Sequence, residues 1–155
     1  VVSAWDVLAK KEIVFGKVSV IGGGLVGVET AEYLASRGCK VTIVEMMDQI
    51  AKEESNTVLP TLMEELNSHE VEVLTSAKLM EITENAVIVE KTVDEKTEKA
   101  EVASDFVVMA VGAKKNVAEL NNCTLPIHYV GDCAGERPSN IDHAIKSAYD
   151  VACEL

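Results

Sequence analysis

The chain has 155 residues, 48% of them hydrophobic, enough for one substantial α/β core or for one core and part of another, and disorder is not its default. Acidic residues outnumber basic ones 26 to 14, and the formal net charge of −12 argues against a nucleic-acid partner, which needs clustered Lys and Arg; solubility accounts for the acidity. No apolar run approaches the roughly 18 to 20 residues of a membrane span, and Val1-Val2-Ser3-Ala4-Trp5-Asp6 lacks the basic start of a signal peptide, so a cytoplasmic protein with no membrane partner is expected.

Residues 3 to 12 read as a lead-in, with Ser3 capping a short helical turn through Leu8-Ala9-Lys10 and Gly16 ending it. Lys17-Val18-Ser19-Val20-Ile21 is a short apolar strand that runs directly into Gly22-Gly23-Gly24-Leu25-Val26-Gly27, a G-x-G-x-x-G spacing. A helical stripe of Val26, Ala31, Leu34 and Ala35 follows, stopped by Gly38. Val41-Thr42-Ile43-Val44-Glu45, β-branched and short, is a second strand that closes a βαβ unit. Ser55 to Asn67 predicts a helix with Leu59, Leu62, Met63 and Leu66 on one side, kinked by Pro60 unless that residue lies in the first turn; Val71 to Leu74 is the third strand.

From Lys78 the pattern becomes short and alternating, with Leu79 to Thr83, Ala86 to Lys91 and Lys99 to Val102 separated by polar turns at Glu84-Asn85 and Asp94-Glu95-Lys96-Thr97. Period-two alternation with short links predicts an antiparallel meander. The continuously apolar run Phe106 to Gly112 returns to the central sheet and completes a first domain. Beyond a polar connector from Ala113 to Pro126 come a strand, Ile127-His128-Tyr129-Val130, the turn Gly131-Asp132, and a helical pattern from Ile141 to Leu155. One strand and one helix cannot bury a core alone, so this tail either packs on the first domain or belongs to another whose beginning is missing.

The glycine turn carries the chemistry. Gly22 permits the tight turn, Gly24 lets backbone approach a pyrophosphate, and Gly27 allows the helix to pack close to the strand. With Gly23, Leu25 and Val26, these residues present the exposed amides of a helix start, whose dipole favours anionic phosphates. Glu45 ends the next strand, 18 residues beyond Gly27 (45 minus 27). There a carboxylate can accept hydrogen bonds from both hydroxyls of an adenosine ribose and repel a 2′-phosphate, and Met46-Met47-Asp48 supply no Arg for that phosphate. NAD(H) is therefore preferred to NADP(H), and Glu45→Arg is expected to weaken NADH and improve NADPH; the competing reading of Glu45 is a solvated strand-end acid. Glu29, placed in the first helical turn, is open to two readings, an acid favoured by the dipole alone or a residue near the nicotinamide pocket.

Cys39, Cys123, Cys133 and Cys153 are widely spaced without a C-x-x-C pair and read as four reduced thiols. His69 in a helix-to-strand link, His128 on a strand and His143 on the last helix share no ligand spacing, so no metal site is expected.

At Gly22-Gly23-Gly24-Leu25-Val26-Gly27-Val28-Glu29-Thr30-Ala31-Glu32-Tyr33-Leu34, joined to Val108-Met109-Ala110-Val111-Gly112 and Val130-Gly131-Asp132-Cys133, the chain resembles the flavin-dependent pyridine-nucleotide disulfide oxidoreductase superfamily. More closely it is similar to the C-terminal part of NADH:flavin oxidoreductases of the 2-enoate reductase and 2,4-dienoyl-CoA reductase type, whose segment before the NAD domain is similar to Ser3-Ala4-Trp5-Asp6-Val7-Leu8. The resemblance implies an α/β fold: a lead-in linker at 1–13, an NAD(H)-binding Rossmann domain at 14–113 with a parallel sheet and the antiparallel β-meander as its crossover, a connector at 114–126, and a C-terminal strand-helix fragment of an FAD-binding domain at 127–155. It places Gly112 at the NAD site, Gly131 and Asp132 at the ribityl or pyrophosphate region of FAD, and Asn140 and Ile141 facing the flavin ring. It also implies FMN and an iron-sulfur cluster in upstream regions, and the remainder of a parent flavoenzyme as partner. Lys115 departs from the pattern, since relatives often carry Pro there. Cys133, beside the flavin motif, reads as a buried small apolar residue rather than a redox group.

The activity so implied is transfer of hydride from NADH to FAD, for reduction of an unsaturated enoate or enoyl-type substrate elsewhere in the parent. The cofactors carry that chemistry, no general acid or nucleophile of this chain is required, and the portion alone is expected to be inactive. The rival is a stand-alone dinucleotide-binding or NADH-sensing module without turnover. Gly131-Asp132 and its separate helix discriminate, because a sensor has no use for them.

Overall fold

Ser3 ends a two-residue strand, Val2–Ser3 (β1), and caps the short helix Ala4–Leu8 (α1), its Oγ accepting the N–H of Trp5 at 3.2 Å. Gly16, at φ 74°, turns the chain into Lys17–Ile21 (β2). Leu25–Ala35 (α2) follows, then Lys40–Val44 (β3), the helix Leu59–Ser68 (α3) and Glu72–Leu74 (β4). Ala77–Ile82 (β5), Ala86–Val93 (β6) and Lys96–Ala103 (β7) precede Phe106–Met109 (β8). A single 3-10 turn at Gly131–Cys133 and the helix Ile141–Glu154 (α4) complete the elements. This computed structural model describes residues 1–52, 58–93, 96–117, 120, 123–134 and 141–155, with Val93 and Lys96 described in their backbone only. The chain divides into two compact units, Val1–Val111 and Gly112–Leu155.

The first unit is layered. A parallel sheet in the order β1-β8-β2-β3-β4 carries helices on one face and the antiparallel sheet β5-β6-β7 on the other. Alternate residues of each central strand face opposite layers: Val18, Val20, Val41, Ile43 and Val108 pack with Val28, Ala31 and Leu34 of α2 and with Leu62 and Leu66 of α3. Ile21, Val44 and Val107 pack with Ala77, Val87 and Val89 of the meander. Burial on both faces is why these strands read as continuous apolar runs, each fully buried Val or Ile contributing roughly 1.5–3 kcal/mol. Pro60 lies in the first turn of α3, where its missing N–H costs no helical hydrogen bond, so it leaves the helix unkinked. Ser55 to Thr57, read as part of this helix, lie outside the described residues.

Three features depart from the sequence reading. The lead-in 1–13 is integral to the unit: β1 pairs with β8, and Ala4 and Val7 are buried in the core. β6 and β7 extend further toward their turn than the apolar alternation indicated, because Lys91 lies opposite Glu98 and Glu90 opposite Lys99, and such cross-strand charge pairs suit a polar ribbon. Finally, Ile127–Val130 is not a strand; Val130 has extended backbone (φ −132°, ψ 163°), but no described segment pairs with it, and a strand exists only through its ladder. His128 is accordingly in irregular chain rather than on a strand.

The order of strands locates a crevice. From β2 the chain steps outward to β3 and β4, then returns through the meander to β8 on the other side of β2. The sheet order reverses between β2 and β8, and in open α/β sheets ligands sit beyond the carboxyl ends of the strands at such a point.

Burial pushes the Cys39 thiol up from its ordinary value of 9.0, and its S–H donates weakly to the Val14 carbonyl at 3.6 Å. The neutral thiol is the native form, so its contribution to stability is intact below the ordinary thiol value and lost as pH rises through the raised one. At about pH 8, iodoacetamide is expected to modify the exposed Cys123 and Cys153 and to spare Cys39 until urea unfolds the chain, as peptide mass spectrometry will read; equal labelling of Cys39 in the folded chain contradicts its burial.

Candidate functional site

The glycine turn leaves the carboxyl end of β2 directly into the crevice. Gly22 sits at φ 105°, continues the ladder by donating its N–H to the Val44 carbonyl at 2.9 Å, and has no room for a side chain: a Cβ there would run into the Ala110 carbonyl just beyond β8. Gly27 is closed in the same way, since a Cβ would strike the Gly22 carbonyl oxygen. Turn, helix and strand therefore approach one another backbone to backbone, which no residue larger than glycine permits.

Gly24 behaves differently. It is the N-cap of α2 with ordinary dihedrals (φ −67°, ψ 175°), is exposed, and a Cβ would meet nothing within 4 Å. No side chain caps the helix, so the amides that open it, from Leu25 onward, have no side-chain partner. An uncapped helix start beside a glycine with room for backbone approach fits the pyrophosphate of a dinucleotide, an anion that backbone N–H groups and the helix dipole both favour.

Glu45 follows β3 and is buried, 8% exposed. Its Oε2 accepts the Gly23 N–H at 2.5 Å and its Oε1 accepts the Met47 N–H at 2.7 Å. The reading of a solvated strand-end acid is thus corrected: the carboxylate is drawn inward by two amides of the turn and of its own loop. An ionised carboxylate has about four acceptor positions, so roughly two are left for other donors. Met46 and Met47 beyond it are 67% and 48% exposed. Lys52, a cation the sequence reading passed over, lies in the same loop with Nζ 4.0 Å from Asp48 Oδ1, both side chains well exposed, a pairing of little energetic weight.

The sequence did not single out Ile50, Ala51 or Ala110, yet each shapes the turn. Ile50 Cγ2 lies 2.5 Å from where a Gly23 Cβ would stand, and the Ala51 N–H donates to the Gly23 carbonyl at 2.7 Å. Buried apolar residues in a polar loop, Ile50 at 4% and Ala51 at 3% exposure, were the available signal. Glu29 requires a correction: α2 begins at Leu25 and its first turn carries no acid, so Glu29 is the fifth helical residue, exposed, and beyond the dipole argument.

In the second unit Gly112 has φ 95° and is exposed with open space around it. Gly131, at φ 62°, donates its N–H to Ser147 Oγ at 2.8 Å, and that hydroxyl donates to the Ala144 carbonyl at 3.0 Å, tying the turn to α4. Asp132 is exposed, and Ile141 opens α4 at 77% exposure. Asn140 lies outside the described residues. Cys133 is half-buried rather than buried, with Sγ 3.5 Å from the Asn116 carbonyl. Among the described residues no cluster of His, Cys, Asp or Glu converges as a metal site, and no helix is long and apolar enough to cross a membrane.

This geometry is that of a dinucleotide-binding domain, and comparison with known proteins gives the family. Residues 4–129 match the pyridine nucleotide-disulphide oxidoreductase family, to which the chain belongs. It is 45% identical over 155 residues to the bilirubin reductase of Mediterraneibacter gnavus (strain CC55_001C), a match covering 98% of this chain and 23% of that one. It is 32% identical over 158 residues to the cinnamate reductase of Clostridium sporogenes (strain ATCC 7955), covering 98% and 23%. The solved complex of 2-naphthoyl-CoA reductase with 2-naphthoyl-CoA shares the fold, with a TM-score of 0.84 at 24% identity over 99% of this chain and 23% of that chain. The chain thus spans about a quarter of the length of the curated relatives it matches. Its fold and family are those of NAD(P)- and FAD-binding oxidoreductases.

The two kinds of glycine separate in a simple experiment. Gly22→Ala is expected to cost about 1–3 kcal/mol, because it forces an L-residue into a left-handed conformation against a carbonyl. Gly24→Ala is expected to stay within about 0.5 kcal/mol of the parent stability while weakening nucleotide binding. Thermal melts with and without NADH read both effects; equal destabilisation by the two substitutions contradicts the packing described.

Proposed function

We propose that this chain is the NADH-binding portion of a flavin-dependent oxidoreductase, in which NADH delivers hydride to FAD and the reducing equivalents go on to an unsaturated, enoate or enoyl-type substrate bound elsewhere in the parent enzyme. The observation that carries the reading is the buried carboxylate of Glu45 hydrogen-bonded to the glycine turn. Its spare acceptor positions suit the two ribose hydroxyls, and its charge opposes a 2′-phosphate. The turn Gly22, Gly23, Gly24 and the helix start Leu25, Val26, Gly27 hold the pyrophosphate. Glu29, on the exposed side of α2, belongs to the nicotinamide end.

FAD supplies the hydride acceptor when bound. Gly131 and Asp132, with Asn140 and with Ile141 at the start of α4, serve its site, completed by parts of the parent beyond this chain. FMN and an iron-sulfur cluster belong to those further parts, and the unsaturated substrate class is supported by the relative named for cinnamate reduction. The protein's task here is to bind and orient the nucleotide with its backbone amides and one carboxylate.

Titration of the purified chain with NADH, NADPH, FAD and FMN, followed by nucleotide fluorescence, tests this. NADH is expected to bind more tightly than NADPH, and neither flavin is expected to stay bound through gel filtration. NADPH binding without an NADH response overturns the role of Glu45, and a yellow chain that retains FAD overturns the incomplete flavin site.

A further inference from the structure

Every hydrogen-bonding group of Glu45 is engaged, and the partners come from different layers of the fold. Its backbone N–H donates to the Leu74 carbonyl at 2.8 Å, and its carbonyl accepts the N–H of Ala77, the first residue of β5, at 2.9 Å. Its carboxylate takes the Gly23 and Met47 amides. Gly23 is held at its carbonyl as well, which accepts the Ala51 N–H, and the space a Cβ on Gly23 would need is taken by Ile50 Cγ2 together with Cβ and Cγ of Glu45. The middle glycine of the turn is gripped between the two ends of the loop 45–51.

We propose that Glu45 is a positioning residue for the glycine turn as well as the reader of the ribose, so that nucleotide preference and the shape of the turn cannot be altered separately. The proposal rests on the NADH reading above and deepens it. A carboxylate accepts both amides and still has capacity for two hydroxyls. A carboxamide offers one acceptor oxygen and turns an NH2 group toward an N–H donor. A guanidinium offers no acceptor at all, leaving the Gly23 and Met47 amides without their partner in a buried place. Ribose logic alone expects Glu45→Arg to transfer preference to NADPH; the geometry expects the turn to loosen and both nucleotides to bind less well.

The test compares Glu45→Asp, Glu45→Gln and Glu45→Arg in the 155-residue chain. Amide hydrogen exchange is measured by NMR at Gly23, at Met47 and in the central strands, alongside dissociation constants for NADH, NADPH and inorganic pyrophosphate, which has no ribose to read. In the Gln and Arg variants, exchange at Gly23 and Met47 is expected to rise about tenfold or more while the strands keep their protection. NADH and NADPH are both expected to weaken. Pyrophosphate is expected to weaken too, although removing a negative charge from the site would by itself tighten it. Glu45→Asp keeps two acceptor oxygens and is expected to recover amide protection and the NADH preference. A Glu45→Arg chain that gains NADPH with unchanged exchange at Gly23 and Met47 overturns the proposal. So does exchange that rises uniformly through the sheet, which marks general destabilisation. If the parent chain binds neither nucleotide, the NADH reading falls; unchanged exchange in Glu45→Gln then also overturns the positioning role, and raised local exchange supports it.

Discussion

The structure of the first unit depends on a place where three backbones meet with no side chain between them. The turn at Gly22, the first helical turn at Gly27 and the end of β8 at Ala110 come so close that a Cβ on either glycine would enter a carbonyl oxygen. This fixes where α2 begins and how it lies on the sheet, since Ala110 also donates its N–H to the Ile21 carbonyl at 2.8 Å. Because β2 and β8 are the strands between which the sheet order reverses, the same contact aims the open end of α2 into the crevice. Packing and ligand geometry are thus one constraint: glycines that let the helix sit close also leave its amides uncapped.

Glu45 adds the polar counterpart. A buried carboxylate is tolerated only where hydrogen bonds replace its water, and here two backbone amides do so. The backbone beside it ties the layers together: Ser76 donates to the Met47 carbonyl at 2.7 Å and Ala77 to that of Glu45, so the meander starts from the residues that open the loop 45–51. Ser76 adopts φ 50° to make this exit. The antiparallel sheet is therefore anchored at the end of β3 as well as by the apolar contact of Val87 and Val89 with Ile21 and Val44.

Much of this was legible in the sequence because the signals were local or doubly determined. β2, α2 and β3 declared themselves through β-branched runs, glycine spacing and a helical stripe, and each prediction reinforced the next. Pro60 allowed an unkinked helix only from its first turn, where it lies, and the alternation from Lys78 onward marked the meander. What was not legible depends on contacts distant in sequence. β1 is two residues long and exists only because β8 lies beside it. Ile127–Val130 carries strand-like composition but finds no ladder among the described residues. At the candidate site, the spacing identified Glu45 but not the direction in which its carboxylate turns, because that is decided by amides 22 residues back and two residues on. The clamp formed by Ile50 and Ala51 was likewise not read: apolar residues in a polar loop were the signal, but they do not show that both fold onto Gly23.

The two units differ in how far they account for their own order. The first buries apolar side chains on both faces of its sheet, and the glycine turn is seated against that core through the close contacts of Gly22 and Gly27. In the second, no described residue is buried, and α4 exposes Ile141, Ile145 and Tyr149, spaced four apart along one side, at 77%, 64% and 66%. A helix of 14 residues is marginal on its own in water. The hydrogen bond from the Gly131 N–H to Ser147 Oγ, which ties the turn to this helix, is worth on the order of 1 kcal/mol. An apolar stripe with this spacing is what a helix needs in order to pack against another layer. The free energy that would fix Gly131 and Asp132 for a ligand must therefore come from packing that the described residues of this unit do not supply. The glycine turn requires no such contribution, because the sheet it leaves is buried on both faces within its own unit.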